Sequence, residues 1–247
     1  MISGGASGLD RAAAEHLVKR GGRVLITDMN PEGKAVAAAL GKNASFFAAD
    51  CTSEEQVSAA LDHAESHFGE PISAAVNTAG IAFAAKTLNK KGVPHKLDVY
   101  EKVLKVNVVG SFNVCRLAAQ RIATRDPDED GGRGVLVNTA SIAAFDGQIG
   151  QVAYSSSKGA IVGLTLPLAR DLSDVGIRVC TIAPGIFATP MMAAAPEAVA
   201  SSLAAAIPHP KRFGKPEEYG MLIEQIITNG YLNGEVIRLD GAVRMKP

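Results

Sequence analysis

The chain has 247 residues, 47% of them apolar and 20% charged, with 25 Lys and Arg side chains balanced by 25 Asp and Glu. That length suits one large domain burying a sizeable core, and the apolar content excludes long disorder. Zero formal net charge argues against a protein whose main task is gripping nucleic acid or an anionic membrane surface.

Met1 and Ile2 leave only the stub of a first strand before the run Ser3-Gly4-Gly5-Ala6-Ser7-Gly8-Leu9. Either the numbering starts late in that strand or the sheet has a short central strand. Apolar runs of strand length then recur at residues 23–28, 45–50, 72–77, 134–140, 177–183 and 235–239. Between them, helical periodicity marks residues 9–20, 31–41, 53–68, 97–124, 151–173 and 216–228. Such alternation predicts an α/β fold, a single domain over 1–247 with a doubly wound parallel sheet and helices on both faces.

Residues 86–96 and 125–133 are polar and rich in turn formers, so they read as surface loops; the first carries five basic groups counting His95, the second is acidic. Residues 184–210 read as an Ala-rich helix bracketed by prolines. With its flank to about 215 it is expected to be a lid, because ligands of open parallel sheets bind beyond the carboxyl ends of the strands. No apolar stretch approaches the ~18 to 20 residues of a membrane span, and the start leaves no room for a signal peptide. Cys51, Cys115 and Cys180 lie more than sixty residues apart and read as buried thiols of a reducing compartment. The expectation is a soluble intracellular protein, cytoplasmic if bacterial and in the mitochondrial matrix if eukaryotic.

The glycines of residues 3–9 allow a tight turn and close approach of backbone to a pyrophosphate, met by the free NH groups that open the next helix. Gly4, Ser7, Gly8 and Leu9 are the candidates. Asp28 ends the next strand 20 residues beyond Gly8, where it would accept from an adenosine ribose and repel a 2'-phosphate. Neither Ser7 nor Met29 is a cation, so the expected cofactor is NAD rather than NADP. Asp10 departs from this pattern, standing where a third glycine is expected. A carboxylate so near the pyrophosphate is expected to weaken NAD binding, although an acid in the first helical turn favours the helix by ~0.3 to 1 kcal/mol.

Of the four tyrosines only Tyr154 has a lysine four residues later, Lys158, on the same helical face. A tyrosine of pKa near 10 is a poor base until a neighbouring ammonium and a positive nicotinamide ring favour the phenolate, which takes ~4 kcal/mol for three units. Tyr154 is then the expected general acid/base between an alcohol and a ketone. Ser141, thirteen residues earlier at a strand end, is expected to hold the substrate oxygen. Asn107, a mild misfit inside a helix, is expected to support a water relaying protons from Lys158.

These pieces, with Asn77-Thr78-Ala79-Gly80, Asn107-Val108-Val109-Gly110 and Pro184-Gly185, resemble the short-chain dehydrogenase/reductase family over essentially the whole chain. The loop at 86–96, residues 134–141 and the tail at 232–242 are most similar to its type II 3-hydroxyacyl-CoA dehydrogenase branch. The resemblance implies a Rossmann-like fold, Asp50 and Cys51 at the adenine, Thr78 by the ribose, and Ile186, Phe187 and Thr189 toward the nicotinamide amide. It also implies Gln148 at the substrate, coenzyme A phosphates near the basic loop, and a homotetramer joined through the two long helices and the C-terminal strand. A hydroxysteroid dehydrogenase is the alternative within the same chemistry; a non-catalytic scaffold subunit of an RNA-processing assembly is the alternative outside it. The five histidines share no metal-ligand spacing with acids or cysteines, and no metal is expected.

Overall fold

The computed structural model describes residues 1–193 and 197–246. Seven parallel strands lie in the order β3-β2-β1-β4-β5-β6-β7: β1 (Ile2–Ser3), β2 (Val24–Asp28), β3 (Ala44–Ala48), β4 (Ala74–Asn77), β5 (Gly134–Thr139), β6 (Ile177–Pro184) and β7 (Val236–Leu239). The helices are α1 (Gly8–Lys19), α2 (Glu32–Leu40), α3 (Glu54–Phe68), α4 (Leu97–Leu104), α5 (Ser111–Ile122), α6 (Val152–Asp171), α7 (Pro190–Ala193), α8 (Glu197–Ala205) and α9 (Pro216–Thr228). All three thiols are free, and no described helix is long and apolar enough to cross a membrane.

Side-chain alternation along the strands builds the two faces. Val24, Ile26, Val76, Val135, Val137, Cys180 and Ile182 pack with α1, α2 and α9 through Ala13, Val36 and Ile223. Their strand neighbours point the other way: Leu25 meets Val57 and Leu61 of α3, while Leu136 and Val179 meet Cys115 and Ile122 of α5. Each fully buried Leu or Ile contributes about 2 kcal/mol. The strand order reverses between β1 and β4, and in doubly wound sheets that switch point opens the ligand crevice.

In the structure the stub is a two-residue strand at the centre of the sheet. Ile2 pairs with both Ile26 and Val76, and Ser3 with both Thr27 and Asn77. At the far ends of these strands the Met1 ammonium donates to Ala74 O at 2.8 Å, where burial lowers its pKa to about 5.

Two expectations are corrected. The helix expected over 97–124 is interrupted by a π-helical turn, Lys105–Gly110, between α4 and α5. A wide turn accommodates the amide of Asn107, which would be a misfit in a regular helix, and such turns cluster at functional sites. The lid expected as one helix holds two short ones, α7 and α8, separated by residues outside those described.

Candidate active site

The glycine run opens the crevice from below. Gly4 has φ +97°, and a Cβ there would stand 2.8 Å from Ala79 N; Gly8 has φ +58°, and its added Cβ would lie 3.8 Å from Thr189 Cγ2. Only glycine takes such conformations at low cost, so the loop is a backbone cradle closed on one side by β4 and faced by the lid. Ser7 caps α1 without a side-chain bond and is exposed, and Leu9 turns to the core. The opening NH groups of α1 are thus left for a ligand. Asp28 is tied to this loop, its Oδ2 accepting from Ala6 N at 3.1 Å and its Oδ1 from Asn30 N at 2.9 Å.

Asp50 and Cys51 lie in the turn beyond β3, which ends at Ala48, two residues short of the end expected at residue 50. Asp50 Oδ1 accepts from both the backbone and the hydroxyl of Thr52 at 2.8 Å, which fixes the carboxylate beside the end of β2, where Ala49 N donates to Asp28 O. The Cys51 carbonyl accepts from Asn113 Nδ2 at 2.9 Å, and burial pushes its thiol up to about 11. Cys51 therefore contributes backbone and shape, not thiolate chemistry.

On the catalytic side Ser141 follows β5 and its Oγ accepts from Ala143 N at 3.1 Å. The Tyr154 phenol on α6 is the neighbour of that hydroxyl. Lys158 Nζ lies 5.7 Å from the Tyr154 ring centroid and donates to Thr139 O at 2.8 Å. Burial holds the ammonium down to about 8, opposed by the Asp10 carboxyl. The expected acidification of Tyr154 by Lys158 is not what the protein's own groups produce. Burial raises the phenol above its ordinary value, and only the Ser141 contact works against it.

Asn107 is buried, and its amide clamps one backbone: Oδ1 accepts from Ile81 N at 2.8 Å and Nδ2 donates to Ile81 O at 2.9 Å. Its Nδ2 also reaches Ser157 Oγ at 2.9 Å, and that hydroxyl donates to Tyr154 O at 2.7 Å. A Cβ on Gly80 would lie 3.2 Å from Asn107 Oδ1 and 3.6 Å from Lys158 Nζ, so the amide and the ammonium share one corner. Ser157 and Thr139 were not singled out by the sequence. A strand-end position two residues before Ser141 was the available signal for Thr139; nothing marked Ser157 among the three serines after Tyr154.

Three expected ligand contacts are already engaged within the protein. Gln148 Nε2 donates to Lys246 O at 2.9 Å, so its amide holds the C-terminal tail. The Phe187 ring is core, packed edge-on to Tyr219, which leaves its backbone for a ligand. Thr78 Oγ1 donates to Ser3 O at 2.6 Å. Asp10 turns its carboxyl inward beside Thr78, with Oδ2 3.1 Å from where a Cβ of Gly4 would be. Burial, reinforced by Asp28 and opposed by Thr78 and Lys158, raises its pKa to about 8. No group of three or more potential metal ligands is found among the described residues.

Residues 1–200 match the short chain dehydrogenase family. The whole chain is similar to 3-hydroxyacyl-CoA dehydrogenase type-2 of Drosophila melanogaster, 55% identical with 97% of that protein covered, and of Homo sapiens, 54% identical with 95% covered. A solved 3-hydroxyacyl-CoA dehydrogenase type-2 from Mycobacterium avium superposes with a TM-score of 0.96 at 43% identity, covering 100% of this chain and 95% of that one. A seven-stranded parallel sheet, a glycine cradle at its switch point and Ser141, Tyr154 and Lys158 at one corner agree with these likenesses: the chain is an oxidoreductase and belongs to the short chain dehydrogenase family.

Proposed function

We propose that the protein is an NAD-dependent 3-hydroxyacyl-CoA dehydrogenase that interconverts a 3-hydroxyacyl-CoA and its 3-ketoacyl-CoA, with Tyr154 as general acid/base. The observation that carries this reading is the cluster of Ser141, Tyr154 and Lys158 beside the glycine cradle, in a chain more than half identical to proteins named for that reaction.

The residues present fit a nicotinamide dinucleotide. A Cβ at Gly4 would fill the cradle, the NH groups from Ser7 to Leu9 serve the pyrophosphate, and Asp28 serves the adenosine ribose and disfavours a 2'-phosphate. Asp50 and the Cys51 backbone serve the adenine, Thr78, Tyr154 and Lys158 the ribose nearer the reaction, and Phe187 backbone with Thr189 the carboxamide. When bound, the nicotinamide takes a hydride from the substrate carbon or returns it.

Ser141 holds the substrate oxygen. Tyr154 removes its proton in oxidation and supplies one in reduction, which the raised phenol favours. Lys158, fixed by Thr139, stabilises the phenolate when it forms, and Asn107 supports the path by which Lys158 recovers a proton. Gln148 borders the substrate through the loop it ties to the tail. Lys86, Lys90, His95 and Lys96 line an open hollow of about 410 Å³ with Phe83, suited to the phosphates and chain of coenzyme A. Residues 184–215 close over the substrate. The assembly is a homotetramer, supported by exposed apolar side chains at Val109, Phe112 and Leu166 on and beside α5 and α6.

The test is a steady-state comparison of a short 3-ketoacyl-CoA, a ketosteroid and a simple ketone, each with NADH and NADPH. The highest kcat/KM is expected for the acyl-CoA with NADH. A higher value for the steroid moves the protein to hydroxysteroid chemistry, and no oxidation of either cofactor removes the enzymatic reading.

A further inference from the structure

Arg238, on the edge strand β7, gathers acceptors from two separate segments. Its Nε donates to Asp240 Oδ2 at 2.7 Å, and its Nη2 donates to Asp146 Oδ2 at 2.6 Å and to the Val243 carbonyl at 3.0 Å. The guanidinium carbon lies 5.2 Å from the centroid of the Phe145 ring. The three side chains are 21%, 17% and 7% exposed for Arg238, Asp146 and Asp240, so this is a sheltered cluster and not a solvated surface pair. Acceptors spread around one plane suit the fork of a guanidinium; a lysine ammonium could not span them.

One of the two segments is the turn that carries Ser141. Phe145 N and Asp146 N both donate to Ile142 O at 2.9 Å, which closes a tight turn on the residue next to Ser141. The other segment is the C-terminal tail from Asp240 to Lys246. Val243 of the tail is buried with Ile142 of that turn and with Ile207 of the lid, and Phe213 and Met245 pack against them. Further on, Lys246 O accepts from Gln148 Nε2 at 2.9 Å. Gln148 N donates to the side chain of Gln151 at 2.9 Å, the residue that opens α6 ahead of Tyr154.

The tail is held in one shape. Asp240 Oδ1 accepts from Ala242 N at 3.0 Å, while its Oδ2 meets Arg244 at 3.2 Å as well as Arg238. Ala242 has φ +65°, a left-handed conformation that a Cβ disfavours and that persists only where the surroundings impose it. A Cβ on Gly185 would stand 2.8 Å from Asp240 Cα, so the tail begins in contact with the turn that leads to Phe187 and Thr189. Without the guanidinium the two carboxylates it joins would repel each other, and tail and turn would part.

We propose that Arg238 is a positioning residue of the reaction: by clamping Asp146 to the C-terminal tail it fixes the turn that aims the Ser141 hydroxyl at Tyr154. The role is exerted through Asp146 and Ile142, with no contact to substrate or cofactor, and it rests on the reading that Ser141 holds the substrate oxygen. A misplacement of about 1 Å at an orienting group costs on the order of a hundredfold in rate, so a clamp at this distance is felt in turnover.

The experiment measures single-turnover reduction of a short 3-ketoacyl-CoA by NADH, beside the NADH dissociation constant from nicotinamide fluorescence. Arg238→Met, Arg238→Lys and Asp146→Ala are each made in the full-length parent and in Ser141→Ala. Arg238→Met leaves two sheltered carboxylates uncompensated and is the variant that endangers the fold; Asp146→Ala opens the same clamp while Arg238 stays paired with Asp240. In the parent, Asp146→Ala should slow reduction about tenfold and Arg238→Met about a hundredfold, with Arg238→Lys between them and NADH affinity within about twofold throughout. In Ser141→Ala the same substitutions should cost less than about twofold further, because the hydroxyl they aim is gone. Equal fold-losses in the two backgrounds, or an Asp146→Ala rate equal to the parent's, would overturn the positioning role while leaving the dehydrogenase reading intact. A Ser141→Ala protein as fast as the parent, or a parent that oxidises no NADH with the acyl-CoA, would overturn that reading and the role together.

Discussion

The Lys158 ammonium donates to the Thr139 carbonyl at 2.8 Å, so this lysine is anchored on the end of β5 and not on the tyrosine one helical turn before it. Thr139 is held in turn from below, its hydroxyl 2.6 Å from the phenol of Tyr219, a fully buried side chain of α9. The cation of the site is thereby braced by the central sheet and by a helix with no direct access to substrate.

Tyr219→Phe removes one partner of a buried hydrogen bond and leaves the Thr139 hydroxyl unsatisfied. The expected loss is about 1 to 3 kcal/mol, read from urea denaturation of both proteins. An unchanged midpoint with an unchanged slope would show that the brace contributes nothing.

Asp10→Asn should change the pH dependence of stability without any cofactor. The folded carboxyl keeps its proton up to about pH 8, whereas the unfolded one loses it near 3.8. The folded state therefore binds more protons across that window, and its stability falls as pH rises through it, by up to about 1.4 kcal/mol per unit. The gain from Asp10→Asn in chemical denaturation should grow from about pH 4 to about pH 8 and then level off. A difference that is constant with pH would mean that the carboxyl is solvated.

Much of this fold was legible because buried parallel strands of Val, Ile and Leu alternate with periodic helices, and the six strands expected beyond the stub lie within a few residues of those observed. The glycine loop, Asp28, Ser141, Tyr154 and Lys158 were legible because their chemistry is bound to spacing along single elements. What escaped the sequence depends on contacts between distant elements. The inward turn of Asp10 toward Thr78, the Tyr219 brace on Thr139 and the commitment of Gln148 to Lys246 are set by packing across 68, 80 and 98 residues. The π turn at Asn107 likewise depends on Ile81, whose backbone its amide clamps.

Asp28→Ser removes the charge opposed to a ribose 2'-phosphate and keeps a short polar side chain beside Ala6. The ratio of kcat/KM for NADPH to that for NADH should rise by at least about tenfold, some 1.4 kcal/mol. An unchanged ratio in the steady-state assay would take cofactor discrimination away from Asp28.

Phe112 is 47% exposed and Val109 54%, on a face that the helices of one chain leave uncovered. Sedimentation of the parent protein should give the mass of four chains, and Phe112→Glu, a charge in an apolar contact, should give smaller species. Equal masses for parent and variant would place this face outside the interface.

Most directly at stake is the phenol of Tyr154. Tyr154→Phe keeps the ring over Lys158 and removes only the oxygen that exchanges a proton with substrate. Turnover of a 3-ketoacyl-CoA with NADH, measured beside the NADH dissociation constant, should fall by at least about a thousandfold with cofactor affinity nearly unchanged. Turnover within about tenfold of the parent would contradict the assignment of Tyr154 as the acid/base.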